Sequence, residues 1–304
     1  MPPRARHMRF AARLRWVRHG CTVACLWALL LLAGCSGTPT DGDQAGAPIR
    51  SPLPTLMPTP TGPAPTPVPP APGEPPADTG WLAAAPGVEL RRLRVPVGGQ
   101  QAPVSVVRLD PAALHLRVGY SPEEPRPLSA WAEASGAVAV INGGFFDEAG
   151  HTVALLIHNG EPVGSSYEGR GGMFAVRQDG TLSLRSLADA PYDPAEPLDE
   201  ALQGWPMLVR PGGEAAYGFE DGERARRSAL ALDREGRVLL IAAPTAAFTL
   251  RELAGWLATA DLGVDAAVNL DGGSSTGLLV RSASAPERIE PFAPLPIVLL
   301  AVPR

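Results

Sequence analysis

The segment AVAVINGGFFD (residues 137–147) decides the fold, because a run of strand-forming apolar residues stops there at paired glycines. The same pattern recurs in AAVNLDGGSST (residues 266–276). Each apolar run is typical of a buried β-strand. Each break sets an amide or a carboxylate beside two glycines, which let the backbone approach a ligand closely. We therefore expect two strand ends that converge on one polar pocket.

Both segments carry side chains that suit the binding of a polar ligand. Asn142 and Asn269 can donate and accept hydrogen bonds, and two serines add hydroxyl groups. Phe145 and Phe146 offer ring faces that suit a sugar and are expected at the rim of the pocket, although both could instead belong to the core. The candidate substrate-binding residues are Asn142, Gly143, Gly144, Phe145, Phe146, Asn269, Gly272, Gly273, Ser274 and Ser275.

Short β-prone runs separated by turn signals surround the two segments. Two-residue signals at Asp179-Gly180 and Glu235-Gly236 each predict a hairpin. Strands outnumber helices, and they do not alternate regularly with helices. The sequence therefore predicts the α+β class, with mixed or antiparallel sheets and few helices.

One helix is predicted directly before the second segment. Thr249 and Glu252 have the spacing of a capping box, and apolar residues recur at helical spacing from Leu250 onward. Gly263 is expected to end this helix.

Residues 1–34 have the layout of a secretory signal. Six arginines precede an apolar stretch that is short for a membrane span, which takes roughly 20 apolar residues. The stretch ends in LAGC (residues 32–35), which resembles a bacterial lipobox and implies lipidation of Cys35. An uncleaved membrane anchor is the alternative. Both hypotheses place the rest of the chain outside the cytoplasm.

The remainder divides into a tether and a domain. Residues 35–79 begin with the lipidated cysteine and are dominated by Pro, Thr and Ala, so we expect a disordered tether that cannot bury a core. Residues 80–304 are expected to form a single globular domain. All three cysteines lie at or before position 35, so this domain must hold together without disulfides.

The charge balance argues against a nucleic-acid partner. Six of the 26 basic residues and none of the 31 acidic residues precede Cys35, which leaves 20 basic against 31 acidic residues and a net charge of −11. Lysine is absent from the sequence, and the arginines are dispersed. An anionic substrate must therefore be held by local donors.

The two glycine-paired segments resemble the signature segments of the phosphodiester glycosidase family, and intermediate pieces agree in order. The similar segments are NGGFF (142–146), GWPMLV (204–209), RSA (227–229), ELA (252–254) and NLDGG (269–273). The resemblance runs from about Val104 to the C-terminus. It implies hydrolysis of the bond between a sugar's anomeric carbon and a phosphodiester, with the signature segments at the site. The sequence departs from the family pattern at Ser274, where a third glycine is common.

The chemistry of such a bond points to two residues. Cleavage develops positive charge on the sugar while the phosphate leaves as an anion. Asp271 is the candidate catalytic carboxylate, as a nucleophile or as the base that activates water. Arg227 is the candidate phosphate ligand, because a guanidinium can bind two phosphate oxygens at once. Alternatively, Asp271 belongs to a simple β-turn, and Arg226 and Arg227 are solvated surface charges.

The leading hypothesis is an exported lipoprotein of the bacterial cell envelope that hydrolyses a sugar-1-phosphodiester, in a glycan or envelope polymer. Its partners are that substrate and the membrane, reached through the lipid on Cys35. A non-catalytic module that binds polysaccharide or glycolipid is one alternative. The other is a cation-dependent phosphodiesterase without sugar specificity, in which Asp271 and Asn269 ligate the cation. No cofactor is predicted, and a divalent cation stays open.

Overall fold

The computed structural model describes residues 76–304. The elements are β1 (Leu82–Ala85), β2 (Val88–Val97), β3 (Gln100–Leu109), β4 (Leu114–Tyr120), α1 (Leu128–Ser135), β5 (Ala139–Asn142), β6 (Leu156–His158), β7 (Glu161–Val163), β8 (Gly172–Arg177), β9 (Leu182–Ser186), β10 (Leu198–Gly204), β11 (Met207–Arg210), β12 (Glu214–Ala215), β13 (Ala225–Asp233), β14 (Val238–Phe248), α2 (Leu250–Thr259), β15 (Val264–Asn269), a 3₁₀ turn (Gly273–Ser275), β16 (Leu278–Val280), β17 (Glu287–Ile289) and β18 (Ile297–Pro303). The predicted signal, Cys35 and most of the predicted tether lie outside the described residues.

The strands form three antiparallel sheets. The largest has eight strands in the order β1-β2-β3-β14-β13-β15-β11-β12. A five-stranded sheet has the order β7-β6-β10-β8-β9, and a second has the order β17-β16-β5-β18-β4. With two α-helices in the described range and one globular domain, the predicted α+β class with few helices is confirmed. Neither helix of residues 76–304 is long and apolar enough to cross a membrane.

Both predicted hairpins are confirmed. β8 pairs with β9, and β13 pairs with β14. At the turns, Gly180 and Gly236 adopt φ of 84° and 80°, a left-handed conformation that glycine tolerates best. Asp179 and Asp233 precede them, and each carboxylate accepts a hydrogen bond from the backbone N–H two residues further on, at 2.9 and 3.1 Å. The aspartate side chains thus fix turns that the glycines make possible.

The start of α2 is confirmed, but its predicted end is wrong. The Thr249 hydroxyl accepts a hydrogen bond from the Glu252 N–H, and the Glu252 carboxylate accepts one from the Thr249 N–H. The helix ends at Thr259, because Ala260 already has the extended conformation. Gly263, with φ of 66°, instead shapes the turn that leads into β15.

The strands that lead into the two glycine-paired segments lie in different sheets. β5 lies between β16 and β18, whereas β15 lies between β13 and β11. The fully buried side chains of Ile141 and Val268 belong to one hydrophobic core, to which β10 contributes Leu202. This shared core between the sheets brings the ends of β5, β10 and β15 together.

Candidate active site

The two glycine-paired segments meet in the folded chain. The Asn142 side-chain amide donates a hydrogen bond of 2.5 Å to the backbone carbonyl of Asp271 and accepts one of 3.1 Å from the Gly277 N–H. The Asp271 N–H in turn donates to the Gly143 carbonyl at 3.1 Å. Asn142 is 1% exposed. Its side chain therefore positions the second segment against the first.

Gly143 and Gly144 are required by close packing within the protein. A Cβ atom on Gly143 would lie 2.4 Å from Cγ2 of Ile297, and one on Gly144 would lie 2.7 Å from the Gln203 carbonyl oxygen. Side chains at these positions would push β5 away from β18 and β10. The first glycine pair thus explains how three strands approach one another.

The structure places the two phenylalanines in different surroundings. Phe146 is half-buried, forms an isolated β-bridge with Thr152 and packs against two hydrophobic clusters. Phe145 is also half-buried, and its carbonyl accepts a hydrogen bond of 2.9 Å from the Val153 N–H. Phe146 thus serves the core, and Phe145 retains the surface that a ligand could contact.

The second segment turns sharply after its carboxylate. Gly273 has φ of 58°, and Gly273, Ser274 and Ser275 form a single 3₁₀ turn. The first N–H groups of such a turn have no acceptor within it. Ser274 is exposed, whereas Ser275 is buried within the turn that follows Asp271. A polar rim thus surrounds the carboxylate.

Asp271 is a half-buried carboxylate with a perturbed titration. Burial raises its pKa above the ordinary aspartate value, and hydrogen bonds from the Ser275 side chain and the Gly272 N–H offset part of that rise. Carboxylates with raised pKa values are common at catalytic sites, because they can act near neutral pH as nucleophile, base or acid.

Asn269 links the second segment to the end of β10. Its side-chain amide donates a hydrogen bond of 2.9 Å to the Trp205 carbonyl, and its backbone N–H donates one of 3.0 Å to the Pro206 carbonyl. Its amide oxygen is buried and has no hydrogen-bond partner within residues 76–304. That oxygen is available to a ligand or to solvent.

Tyr167 and Arg170 lie in a loop that packs on the end of β10, and the sequence did not point to either residue. The Tyr167 N–H donates to the buried Gln203 side chain at 2.9 Å. Burial raises the pKa of Tyr167, the charge of Arg170 lowers it, and the charge of Asp271 raises it. The Arg170 guanidinium lies 5.3 Å from the Tyr167 ring centroid. The glycine-rich composition of GSSYEGRGG (residues 164–172) could have marked this loop as part of a binding site, but nothing within the loop indicates a contact with Asp271.

Arg227 enters the region through strand pairing. β13 pairs with β15 as far as Asn269, and this register sets the Arg227 backbone beside Asp271. The guanidinium donates to the Phe248 carbonyl at 3.1 Å and to the Glu223 carbonyl at 2.7 Å. These bonds use two of five N–H groups, which leaves donors for a phosphate. Burial lowers the pKa of Arg227.

Arg226 is half-buried rather than solvated. It points to the opposite face of β13, as alternate residues of a strand do. Its guanidinium donates to the carbonyls of Thr276 and Glu290, both at 2.8 Å, and lies 4.3 Å from the Phe292 ring centroid. Arg226 thus ties the loop after the second segment to β13.

Buried polar atoms without protein partners are concentrated in this region. Of the six such side-chain atoms in residues 76–304, five belong to β13 or to the second segment: Arg226 Nε and Nη1, Ser228 Oγ, Asn269 Oδ1 and Thr276 Oγ1. Buried polar groups in proteins are nearly always hydrogen-bonded. Arg226 and Ser228 lie on the face of β13 opposite Arg227 and Asn269, so Asn269 Oδ1 is the atom of this set that we assign to the candidate site.

Two cavities lie away from the two segments. One of about 500 Å³ is lined by residues of β4, β8 and β10 and by Arg304, and another of about 330 Å³ lies beside α1. Neither is lined by a predicted site residue. We place the candidate site at the two segments, because they meet there around the half-buried carboxylate of Asp271. In the part of the chain that the structure describes, no group of three His, Cys, Asp or Glu side chains could hold a metal ion.

Comparison with protein families identifies the chain. The sequence model of the phosphodiester glycosidase family matches residues 135–300, more than half of the chain. The protein belongs to the phosphodiester glycosidase family. The matched range includes both signature segments and Arg227, so the resemblance predicted from the sequence is confirmed. Membership supports phosphodiester glycosidase activity in general.

Three solved structures are similar to the chain, and the first of them supports the fold. The catalytic domain of zebrafish N-acetylglucosamine-1-phosphodiester α-N-acetylglucosaminidase, auto-inhibited by its pro-peptide, is 21% identical with a TM-score of 0.58, and the match covers 72% of this chain and 85% of that domain. A hypothetical protein from Synechocystis is 18% identical, with coverage of 72% and 62% and a TM-score of 0.49. An exported protein of Burkholderia pseudomallei is 15% identical, with coverage of 68% and 75% and a TM-score of 0.48. Curated protein sequences gave no match.

Replacing Asn142 with alanine is expected to destabilise the domain by about 3 kcal/mol, because the Asp271 carbonyl and the Gly277 N–H both lose their buried partner. Chemical denaturation measures the change. The exposed Asn159 has φ of 52°, which glycine tolerates, so Asn159→Gly is the control and should change stability by less than about 1 kcal/mol. Equal, small effects of both substitutions would show that the two turns hold together without the Asn142 amide.

Proposed function

We propose that the protein hydrolyses a glycosidic phosphodiester bond, with Asp271 as the carboxylate at the anomeric carbon. The observation that carries this proposal is the half-buried Asp271 at the junction of the two signature segments of a phosphodiester glycosidase. The reaction consumes water, and it breaks the bond between the anomeric carbon and a phosphate oxygen. The products are a free sugar and a phosphate monoester.

The environment of Asp271 suits the charge that develops on the sugar. In its ionised form the carboxylate either attacks the anomeric carbon or accepts a proton from the attacking water. Partial burial strengthens its interaction with a positively charged transition state, because water screens that charge less. The phosphate departs as a stable anion, so one carboxylate suffices for this chemistry.

The phosphate is assigned to hydrogen-bond donors near the carboxylate. Arg227 retains N–H groups beyond the two that bond to backbone carbonyls. The Tyr167 phenol is protonated at neutral pH, as the ordinary tyrosine pKa is about 10 and burial raises it, so it can donate a hydrogen bond. The first N–H groups of the turn at Gly273–Ser275 add further donors. Such local donors are required because the chain is acidic overall.

The substrate is proposed to be a sugar phosphodiester of a glycan or envelope polymer. The zebrafish enzyme is named for N-acetylglucosamine-1-phosphodiester, which makes a diester of N-acetylglucosamine 1-phosphate a reasonable first probe. The proposed location is the bacterial cell envelope. Its support is the signal-like N-terminus that ends in LAGC (residues 32–35) and the proline-rich segment that follows.

Asp271→Asn is expected to reduce the rate of sugar release from a synthetic sugar-1-phosphodiester on the order of 10³-fold, because the amide can neither attack nor accept a proton. Asp147→Asn is the matched control. Its carboxylate accepts hydrogen bonds from backbone N–H groups of its own turn, which an amide oxygen can also do. Binding of the diester without turnover by the wild-type protein would instead favour a glycan-binding module.

The pH dependence of this activity follows from the burial of Asp271. Because its pKa is raised, activity should rise with pH through a midpoint above the usual aspartate value of about 3.9. The same burial destabilises the fold once the carboxylate ionises. Asp271→Asn should therefore melt at or above the wild-type temperature at pH 7, and the difference should shrink in acid. A lower melting temperature would mean that the lost activity reflects unfolding.

Arg227→Lys is expected to lower kcat/KM for the diester about 10²-fold, because an ammonium group cannot bind two phosphate oxygens as a guanidinium does. The matched control is Arg251→Lys on the exposed side of α2. Steady-state kinetics at neutral pH measure both. Full activity of the Arg227→Lys protein would assign phosphate binding to other donors.

Cys35→Ser is expected to abolish incorporation of radiolabelled palmitate during bacterial expression, because the thiol is the proposed site of lipid attachment. Cys25→Ser changes another cysteine of the same region and should leave the labelling intact. Labelled Cys35→Ser protein would contradict the proposed anchor.

A further inference from the structure

Three aromatic side chains form a row on the surface beside the candidate site. The ring centroids of Trp205 and Tyr217 are 6.1 Å apart, and those of Tyr217 and Phe219 are 6.5 Å apart, with the rings edge to face in both pairs. Trp205 is 39% exposed and Phe219 is 66% exposed. Large aromatic rings are usually more buried than this, so an exposed row is a candidate binding surface.

The row is continuous with the candidate site. The Trp205 carbonyl accepts the hydrogen bond from the Asn269 side chain, two residues before Asp271. The Arg227 guanidinium donates a hydrogen bond of 2.7 Å to the Glu223 carbonyl, so the proposed phosphate ligand contacts the loop that carries Tyr217 and Phe219. A molecule whose phosphate is held by Arg227 would extend over these rings.

The loop that carries Tyr217 and Phe219 is anchored by two side chains that follow them. Residues 216–224 connect β12 to β13, and within them the Glu220 carboxylate accepts a hydrogen bond of 3.0 Å from the Thr249 hydroxyl. The Arg224 guanidinium forms an ion pair of 2.6 Å with Glu252. The aromatic surface is thus preorganised, which reduces the entropy lost when a ligand binds.

The negative charge near the aromatic row favours the binding of a neutral group. Three exposed acidic residues, Glu220, Asp221 and Glu223, lie in the same loop. A second phosphate would be repelled there, whereas the C–H faces of a neutral sugar pack well on aromatic rings.

We propose that Trp205, Tyr217 and Phe219 form a subsite for a neutral sugar that is esterified to the far side of the reacting phosphate. This inference rests on the proposed function and narrows its substrate class. The preferred substrate is then a sugar 1-phosphate linked to an oligosaccharide or polysaccharide, rather than a diester of a small alcohol.

Two diesters of N-acetylglucosamine 1-phosphate test the subsite, one with methanol and one with a primary hydroxyl of maltotriose. In Trp205→Ala and Phe219→Ala, kcat/KM for the maltotriose diester should fall about tenfold, while the value for the methyl diester stays within about twofold. Phe292→Ala, which removes another exposed ring, should leave the ratio of the two values unchanged. The Phe219 ring is mostly exposed, so its removal keeps the test valid if Trp205→Ala does not fold.

Equal losses on both diesters, or no loss on either, would overturn the subsite. A binding measurement distinguishes a wrong subsite from a wrong proposed function. If the wild-type protein cleaves neither diester, the proposed function fails, and calorimetric titration of the Asp271→Asn protein decides the subsite alone. Tighter binding of the maltotriose diester than of the methyl diester, with the difference lost in Asp271→Asn/Phe219→Ala, supports the subsite. Equal binding of both diesters rejects it.

Discussion

The hydrogen bond from the Asn142 amide to the Asp271 carbonyl joins two chain reversals from different sheets, and the candidate site depends on it. Asn142 lies at the end of β5, and Asp271 lies just after the end of β15. Gly143 and Gly144 allow β18 and β10 to approach closely enough for the bond to form. A carboxylate on a surface turn thereby becomes a half-buried group in a fixed position.

The electrostatics of the site follow from that position. Asp271 and Arg227 are both partly removed from water. Burial raises the pKa of Asp271 and lowers the pKa of Arg227, because it disfavours the charged form of each group. Partial desolvation of both groups makes each interact more strongly with a charged substrate than it would in water. The acidic character of the whole chain matters less than the few donors around the carboxylate.

The sequence predicted those parts of the fold and site that local patterns encode. The two hairpins and the capping box of α2 depend on residues within a few positions of one another, and all three are confirmed. The end of α2 was predicted wrongly, because glycine at position 263 marks a later turn and not the helix end. Long-range contacts were harder to predict. Tyr167 reaches the neighbourhood of Asp271 only through the packing of its loop on Gln203, and no pattern within that loop encodes the contact.

Hydrolysis of a sugar-1-phosphodiester in H₂¹⁸O, followed by mass spectrometry of both products, tests the central claim most directly. If Asp271 acts at the anomeric carbon, the bond between that carbon and the bridging oxygen breaks, and the label appears in the hydroxyl group of the released sugar. Label in the phosphate monoester would mean that water attacks phosphorus. That result would contradict the account and make the protein a phosphodiesterase without glycosidase chemistry.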